Sequence, residues 1–210
     1  MTIAGNDIFI SAPRQADRPV ALLDVVGGRN WVVRDIVVAD FEWSQGNKVS
    51  YGMYLKGNSS NGVFERNLIL CNWKHSGGVR IALSLGGDGT SKAFCERQEC
   101  ATEHTGGIIR NNVISGDVRD RDGARHTEAN NLIVPQPYML EDVFIDHANA
   151  VFRLKNERKV MGKDRRVPEV TDDFCSRRRT LPAYDLGAIE YGPGRCTVAN
   201  MFRRAQAYGD

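Results

Sequence analysis

A short phrase recurs four times along this chain and constrains the fold more than any other feature of the sequence. Each copy is a polar residue, then Asp or Asn, then two branched aliphatic residues. The copies are Arg34-Asp35-Ile36-Val37, Arg66-Asn67-Leu68-Ile69, Asn111-Asn112-Val113-Ile114 and Asn130-Asn131-Leu132-Ile133. A unit of this size cannot bury its apolar face alone and must stack on its neighbours. The repeat therefore predicts a solenoid with one copy in each rung.

The spacing of the copies is irregular. Successive Asp or Asn positions lie 32, 45 and 19 residues apart. This pattern is typical of rungs of about twenty residues that carry loop insertions. It predicts inserted loops near residues 44–50 and 86–107, and the short last step predicts that rungs are missing between Gly116 and Asp117.

The repeated segments have the pattern of strands. In residues 78–85, Val79, Ile81, Leu83 and Leu85 alternate with other residues and are expected to share one face. Parallel strands stacked in this way would place the repeated amides in a column at a turn. There an amide can adopt left-handed backbone geometry and hydrogen-bond along the stack. The predicted members of that column are Asp35, Asn67, Asn112 and Asn131.

Composition is that of a water-soluble chain with one substantial core. Hydrophobic residues make up 41% of the 210 residues, and no apolar run approaches the roughly 20 residues that span a bilayer. Net charge is +2, with 13 Lys/Arg against 8 Asp/Glu in residues 151–210. Because no nucleic-acid-binding motif accompanies this modest basic tail, we expect neither a nucleic-acid partner nor a membrane span.

Two C-terminal phrases carry a resemblance to a known family. Residues 143–146 (Val-Phe-Ile-Asp) followed by 151–155 (Val-Phe-Arg-Leu-Lys), and the phrase Tyr-Asp-Leu-Gly-Ala-Ile-Glu-Tyr at 184–191, resemble the closing segments of right-handed parallel β-helix proteins related to pectate lyases. The resemblance implies an all-β, single-stranded parallel β-helix. Its rungs would occupy residues 1–150, and residues 151–210 would form a C-terminal capping segment on the same solenoid. It also implies an extracellular or periplasmic protein that acts on, or adheres to, polysaccharide.

The start of the sequence departs from that family. The chain opens almost directly into the strand-like residues 20–26, without the basic and apolar blocks of a secretory signal. We therefore expect a truncated or shortened member of the group, in which an open end of the solenoid would leave sheet edges unprotected.

The five cysteines divide by spacing. Cys95 with Cys100, and Cys175 with Cys196, can each form a disulfide in an oxidising compartment. The spacings do not match those of structural zinc sites. Cys71 lies at the repeat position of Ala39 and Gly116, which predicts a small buried residue rather than a reactive thiol.

Candidate catalytic residues follow from strand alternation. Pairing Met53 with Val79 and Leu55 with Ile81 as inward residues would turn Tyr54, Lys56 and Arg80 outward as neighbours about 5 to 8 Å apart. The stretch from Tyr54 to Asn67 resembles the catalytic-lysine rung of the chondroitinase-B and alginate-lyase group. That resemblance implies uronate β-elimination, with Arg80 binding the sugar carboxylate and Lys56 or Tyr54 transferring the proton. The alternative is that Lys56 and Arg80 are solvated residues on a structural rung.

The same resemblance implies a calcium ion held by acidic residues shortly before the lysine. Residues 49–51 (Val-Ser-Tyr) offer no carboxylate there, so Ca²⁺ is a possible cofactor without its usual ligands. Trp43, Trp73, Lys74 and His75 are the candidate substrate-binding residues, because aromatic faces stack on sugar rings and donors bind carboxylates. For both tryptophans, stacking in the core is the alternative.

These observations lead to two hypotheses. The first is a secreted, monomeric β-helix that cleaves acidic polysaccharide by β-elimination. The second is a non-catalytic β-helix that binds glycans or serves as a surface scaffold. A hydrolase with Asp40 and Glu42 as its two carboxylates is a third, weaker possibility.

Overall fold

The computed structural model describes residues 1–9, 21–41, 49–71, 73, 79–87, 102–134, 140–155, 160–163, 165–179, 184–193 and 196–198. In this part of the chain the structure is all-β, with several parallel sheets and one short α-helix. No helix among these residues is long and apolar enough to cross a membrane.

Three parallel sheets form the body of the molecule. Sheet 1 contains, in hydrogen-bonded order, β1 (Thr2–Ala4), β4 (Val32–Arg34), β8 (Val63–Glu65), β12 (Gly107–Arg110) and β15 (His126–Ala129). Sheet 2 contains β2 (Asp7–Phe9), β5 (Val37–Ala39), β9 (Leu68–Leu70), β13 (Val113–Ser115) and β16 (Leu132–Val134). Sheet 3 contains β3 (Ala21–Val26), β6 (Val49–Lys56), β10 (Val79–Leu85) and β14 (Asp117–Asp120).

Shorter elements complete the described structure. A parallel pair, β7 (Ser59–Ser60) and β11 (His104–Thr105), lies between sheets 3 and 1 along the chain. The C-terminal segment contains α1 (Leu140–Val143), a 3-10 turn (His147–Asn149) and the antiparallel pair β17 (Phe144–Asp146) and β18 (Val151–Leu154).

The chain visits the three sheets in a fixed order. It passes through sheet 1, sheet 2 and sheet 3, and then returns to sheet 1, where the new strand pairs in parallel with the strand of the previous visit. We call one such passage a circuit. This cyclic order is compatible with the parallel β-helix predicted from the repeat.

The expectation of missing rungs is wrong. After Asn112 the chain passes from β13 through Gly116 directly into β14, and β13 and β14 pair with β9 and β10 of the preceding circuit. Gly116 has a φ of 121°, which a residue with a side chain rarely adopts. A 19-residue step is therefore a complete circuit whose connections are as short as the geometry allows.

The predicted amide column is present for three of its four members. Asn131 Oδ1 accepts the N–H of Asn112, and Asn112 Oδ1 accepts the N–H of Asn67. Each amide nitrogen donates to a sheet 1 carbonyl of the circuit before it, as Asn112 does to Phe64. These bonds satisfy buried backbone groups where the chain turns from sheet 1 to sheet 2.

The first member of the column was placed one residue too early. Val37 pairs with Leu68, so Ile36, and not Asp35, aligns with Asn67. Asn67 Oδ1 accepts the Ile36 N–H, and a backbone donor is all that the column requires at that point. The same shift aligns Cys71 with Asp40 instead of Ala39, while its alignment with Gly116 is correct; Cys71 is buried as predicted.

The left-handed position predicted at Asp35 is confirmed, whereas the other three lie one residue earlier than predicted. The residues that precede the column members have φ between 53° and 61°, namely Asp35, Arg66, Asn111 and Asn130. Two of these residues, Asp35 and Arg66, form an ion pair between adjacent circuits. Arg66 donates from Nε and Nη2 to the two carboxylate oxygens of Asp35, at 2.8 and 2.7 Å.

Sheet 2 separates two hydrophobic cores. Residues such as Val38, Ile69 and Ile114 pack with inward residues of sheets 1 and 3. On the opposite face, Val37, Leu68 and their aligned neighbours pack against the C-terminal segment, including Phe144 and Phe152. This second core is why the C-terminal segment lies against the strands rather than apart from them.

The phrase at 184–191 forms a buried polar cluster. The Asp185 carboxylate accepts the N–H groups of Gly162 and Tyr191, while Glu190 accepts the Asp185 N–H and pairs with the buried Arg179 at 2.6 Å. Burial raises the pKa of Glu190 to about 7, against the attraction of Arg179. These carboxylates are tied to backbone and to Arg179, so the phrase has a structural role in this chain.

The cysteine pairing is confirmed in part. Cys175 and Cys196 form a disulfide whose Cα atoms are 5.6 Å apart. The proposed Cys95–Cys100 pair lies outside the described residues.

Candidate functional site

The strand β6 carries two of the three predicted catalytic residues, and its alternation is broken at its middle. Tyr51 and Tyr54 belong to one apolar cluster, whereas Met53 and Leu55 belong to the interior core. Two successive residues, Gly52 and Met53, therefore face inward. At Gly52 a Cβ would lie 2.6 Å from the Ala82 carbonyl oxygen, so only glycine fits there.

This local irregularity brings Tyr51 and Tyr54 together. Their rings stack with centroids 4.6 Å apart and planes within 5°, although the two residues are three apart in one strand. Both rings are about 2% exposed. Tyr54 is thus a buried ring, stacked on Tyr51, rather than a group at the surface.

Lys56, at the end of β6, lies over the Tyr54 ring. Its Nζ is 4.4 Å from the centroid of the Tyr54 ring and 3.4 Å from Oδ2 of Asp24 on the neighbouring strand β3. The Lys56 side chain is 24% exposed. The structure therefore brings together Lys56 and Tyr54, as predicted, and adds Asp24 to them.

Arg80 does not join this group, and the predicted register is wrong. Arg80 pairs with Ser50 rather than with Tyr54, whose partner is Ser84. Four residues of strand separate the two positions, or about 13 Å. Arg80 is buried, and its Nη1 donates to the Cys71 carbonyl at 2.5 Å. The predicted register is four residues off, since Val79 pairs with Val49 and not with Met53. A shift by an even number of residues leaves the alternation unchanged, so the pattern could not reveal it.

A different arginine lies near Tyr54. A Cβ placed on Gly87 would be 2.9 Å from the Tyr54 hydroxyl and 3.1 Å from Arg121 Cδ. Gly87 has a φ of 127° and follows β10, and the Arg121 N–H donates to the Leu85 carbonyl. Arg121 was missed in the sequence. The signal for it was the run of charges from Asp117 to Asp122.

Lys56, Tyr54, Asp24 and Arg121 form what we call the Lys56 site. Its cations are Lys56 and Arg121, and its carboxylate is Asp24. The site lies where the strands of sheet 3 end. A partly exposed ammonium above an aromatic ring, with an arginine side chain beside that ring, can bind an anionic group.

A histidine with two carboxylates lies where sheet 3 leads back to sheet 1. His126 Nδ1 is 2.7 Å from Asp120 Oδ1, and its Nε2 is 2.8 Å from Glu128 Oε1. Burial lowers the pKa of His126, but the bonds to Glu128 and Asp120 outweigh it and raise the pKa overall. The His126 ring therefore links the two carboxylates, and its hydrogen bonds to them favour its protonated form.

A second histidine nearby is fully buried. His104 lies between Gly62 and Gly107, and neither of its ring nitrogens has a hydrogen-bond partner among the described residues. Burial lowers its pKa to about 4. His104 is a neutral core residue above that pH and is not a proton carrier at the surface.

The predicted substrate-binding residues lie elsewhere or outside the described part of the chain. Trp73 is 7% exposed, packs in the core between sheet 2 and the C-terminal segment, and donates from Nε1 to the His147 carbonyl. Trp73 is therefore a core residue, the alternative given for it above, rather than an exposed ring for a sugar. Trp43, Lys74 and His75 lie outside the described residues, as does Glu42. Asp40 is buried.

Another concave surface lies at the turn from sheet 1 to sheet 2, beside the C-terminal segment. A pocket of about 580 Å³ is lined by the Asp35–Arg66 pair, by Arg34, and by Asp172 and Phe174 of the C-terminal segment, among others. The Arg34 side chain is 45% exposed and lies 3.8 Å from Asp35. With Asp173 the lining holds three carboxylates against two guanidinium groups, which makes it a poor match for an anion.

Residues 49–51, where the resemblance places calcium ligands, carry no carboxylate. Among the described residues no group of three or more His, Cys, Asp or Glu could hold a metal ion.

No family model matches the chain, and no curated protein or solved structure is significantly similar to it.

Proposed function

We propose that the chain is a right-handed parallel β-helix that binds acidic polysaccharide at the Lys56 site. The cyclic strand order and the amide column between circuits support the β-helix. The Cys175–Cys196 disulfide supports an extracellular or periplasmic location, because such bonds persist in oxidising compartments.

The observation that carries the binding proposal is the placement of Lys56. Its ammonium is partly exposed, lies over the Tyr54 ring and has Arg121 nearby. A sugar carboxylate can bind between the two cations while the polysaccharide runs along the end of sheet 3. Lys56 already pairs with Asp24, so the ligand must compete with that carboxylate, and binding of a single sugar unit will be weak.

Binding without cleavage fits the geometry better than the predicted lyase. Elimination needs a base that reaches the proton next to the sugar carboxylate, and a cation that stabilises the resulting enolate. Tyr54 is buried and Arg80 lies about 13 Å away along the strand. The observation that keeps a lyase as the second candidate is Arg121, which occupies the place beside Tyr54 that Arg80 was expected to fill.

In that second candidate Tyr54 would transfer the proton and Arg121 would bind the carboxylate. The C–H electron pair becomes the new C=C bond, the C–O bond to the leaving sugar breaks, and the departing oxygen takes up a proton. The product carries an unsaturated bond that absorbs in the ultraviolet.

One experiment separates the two candidates. The protein is passed over a column of immobilised polyuronate and over a column of neutral glucan of similar length. Separately, the protein is incubated with soluble polyuronate, and the ultraviolet absorbance of the mixture is followed. Salt-sensitive retention on the polyuronate alone, without absorbance, supports binding. Absorbance that Tyr54→Phe abolishes supports the lyase. Equal retention on both columns, or on neither, contradicts the proposal.

A further inference from the structure

Three polar side chains lie at one end of the apolar interior. In the part of the chain that the structure describes, β14 and β15 are the last strands of sheets 3 and 1. Asp120 in β14 is aligned with the core residue Leu85, and Glu128 in β15 is aligned with the core residue Ile109. His126 shares the face of Glu128, because the two residues are two apart in one strand. The three side chains are 14 to 39% exposed, so they lie between the core and solvent.

Both ring nitrogens of His126 contact a carboxylate. Nδ1 is 2.7 Å from Asp120 Oδ1, and Nε2 is 2.8 Å from Glu128 Oε1. An ionised carboxylate only accepts hydrogen bonds, and a neutral imidazole has a single N–H, so only the imidazolium can make both bonds at once. We propose that this cluster closes the end of the solenoid in a pH-dependent way. Protonated His126 holds β15 against β14, and release of its proton to solvent loosens the last described circuit.

The elements around His126 bring few other titratable groups to it. Among the described residues, β14 contributes Asp120, β15 contributes Glu128, and β11 contributes the buried His104, whose pKa burial lowers to about 4. The β12 residue opposite His126 is a glycine, and the preceding Arg125 donates to a backbone carbonyl. Burial lowers the pKa of His126, but its bonds to Glu128 and Asp120 outweigh burial, so this pKa lies above the ordinary value of 6.5.

Loss of the proton should loosen the last circuit rather than the whole molecule. The neutral ring keeps one of its two bonds and leaves one carboxylate without its donor beside an apolar core. Among the described strands, β15 and β16 each pair with one neighbour, whereas the strands of inner circuits pair with two. Ile133 in β16 is also 43% exposed, although it is aligned with the buried Ile114. Elements with few buried contacts open locally before the rest of a fold.

The direction of the pH effect follows from the raised pKa. The folded state holds the His126 proton to a higher pH than the unfolded state does. The stabilisation is therefore fully present below pH 6.5 and is lost as the pH rises through the raised pKa. This closure does not involve Lys56, so it does not depend on the proposed polysaccharide binding.

Hydrogen exchange followed by mass spectrometry from about pH 6 to about pH 9 tests the proposal. The protection of residues 124–134, corrected for the intrinsic exchange rate at each pH, should fall about tenfold or more in the wild type, the factor expected for one hydrogen bond to a charged group. Residues 63–70 of an inner circuit should lose less protection. If residues 124–134 lose no protection, or no more than residues 63–70, the proposal is overturned.

Glu128→Gln is the variant that separates this closure from a general effect of charge. The Gln amide can donate to Nε2 of a neutral His126 while Nδ1–H donates to Asp120, so the neutral ring makes both bonds. Protection in this variant should stay constant over the same pH range. Asp117→Asn is the matched control, because it removes a 60% exposed carboxylate of β14 that pairs with Arg119, and it should show the wild-type fall. An equal fall in Glu128→Gln, or no fall in Asp117→Asn, would overturn the proposal.

Nitrogen NMR of the His126 ring measures the proton itself and does not rely on the exchange data. At pH 6.5, the ordinary pKa of histidine, more than half of the wild-type molecules should carry a proton on both ring nitrogens. In Glu128→Gln the neutral ring with its proton on Nδ1 should predominate at the same pH. A wild-type ring that is half protonated or less at pH 6.5 would contradict closure by the imidazolium.

Discussion

At the scale of single residues, the amides of the column connect the circuits. Asn112 lies within hydrogen-bond distance of groups in both adjacent circuits, including the Asn67 N–H, the Phe64 carbonyl and Asn131 Oδ1. All of these contacts are buried or partly buried. A buried polar group that loses its partner costs more than the bond itself contributed.

Asn112→Ala should therefore destabilise the fold strongly. It leaves the Asn67 N–H and the Phe64 carbonyl without partners in the core, and we expect a loss of roughly 2 to 4 kcal/mol in the free energy of unfolding. Urea unfolding followed by circular dichroism measures this value.

The control is Asn6→Ala, at the end of the same column. Asn6 is exposed and, within the described part of the chain, its side chain donates to the Ala4 carbonyl alone, so the expected loss is below about 1 kcal/mol. Similar losses for the two variants would mean that the column does not hold the circuits together.

At the scale of elements, the repeat predicted strands and their column, but the pairing of individual residues could not be predicted. The alignment of Asn67, Asn112 and Asn131 was predicted correctly because each side chain accepts a backbone N–H and donates to a carbonyl of the preceding circuit. Asp35 was placed in the column wrongly because the first column position is occupied by Ile36, whose backbone N–H donates to Asn67 Oδ1 and needs no polar side chain. Arg80 was misplaced because strand alternation fits two registers that differ by four residues equally well, and the observed one pairs Arg80 with Ser50. Arg121 could not be assigned to the site from the sequence, because it lies near Tyr54 only through the folding of Gly87 between them.

The segment around Glu190 should make stability depend on pH. Burial raises its pKa from 4.5 to about 7, so the folded state binds a proton that the unfolded state has released. This contribution is fully present below pH 4.5 and is lost as pH rises to about 7, by up to roughly 3 kcal/mol.

Glu190→Gln cannot ionise and should lose this dependence. We expect its stability relative to wild type to improve as pH rises from about 5 to 8. His104, whose pKa is lowered, makes the free energy of unfolding rise with pH. Because both proteins contain His104, this contribution cancels in the difference between them. Glu169→Gln, which removes an exposed carboxylate, should show a constant difference. A constant difference for Glu190→Gln as well would show that Glu190 is ionised throughout.

At the scale of the whole molecule, the C-terminal segment is held by its core and by a disulfide. Cys175 and Cys196 are 21 residues apart and Cys196 is fully buried. Closing a loop of this size stabilises a folded chain by about 3 kcal/mol.

Reduction should therefore lower the free energy of unfolding by about 3 kcal/mol. The measurement is urea unfolding with and without reductant. A variant that combines Cys175→Ala with Cys196→Ala should not respond to the reductant. An equal response in that variant would assign the effect to other cysteines.

The central claim about the molecule is that Lys56 binds an anionic polysaccharide, and calorimetric titration with a uronate oligosaccharide tests it most directly. Lys56→Met should weaken binding about tenfold, which corresponds to the loss of roughly 1.4 kcal/mol. Arg34→Met removes a cation from the other pocket and should leave the affinity unchanged. Unchanged affinity in Lys56→Met, or equal weakening in both variants, would contradict the claim.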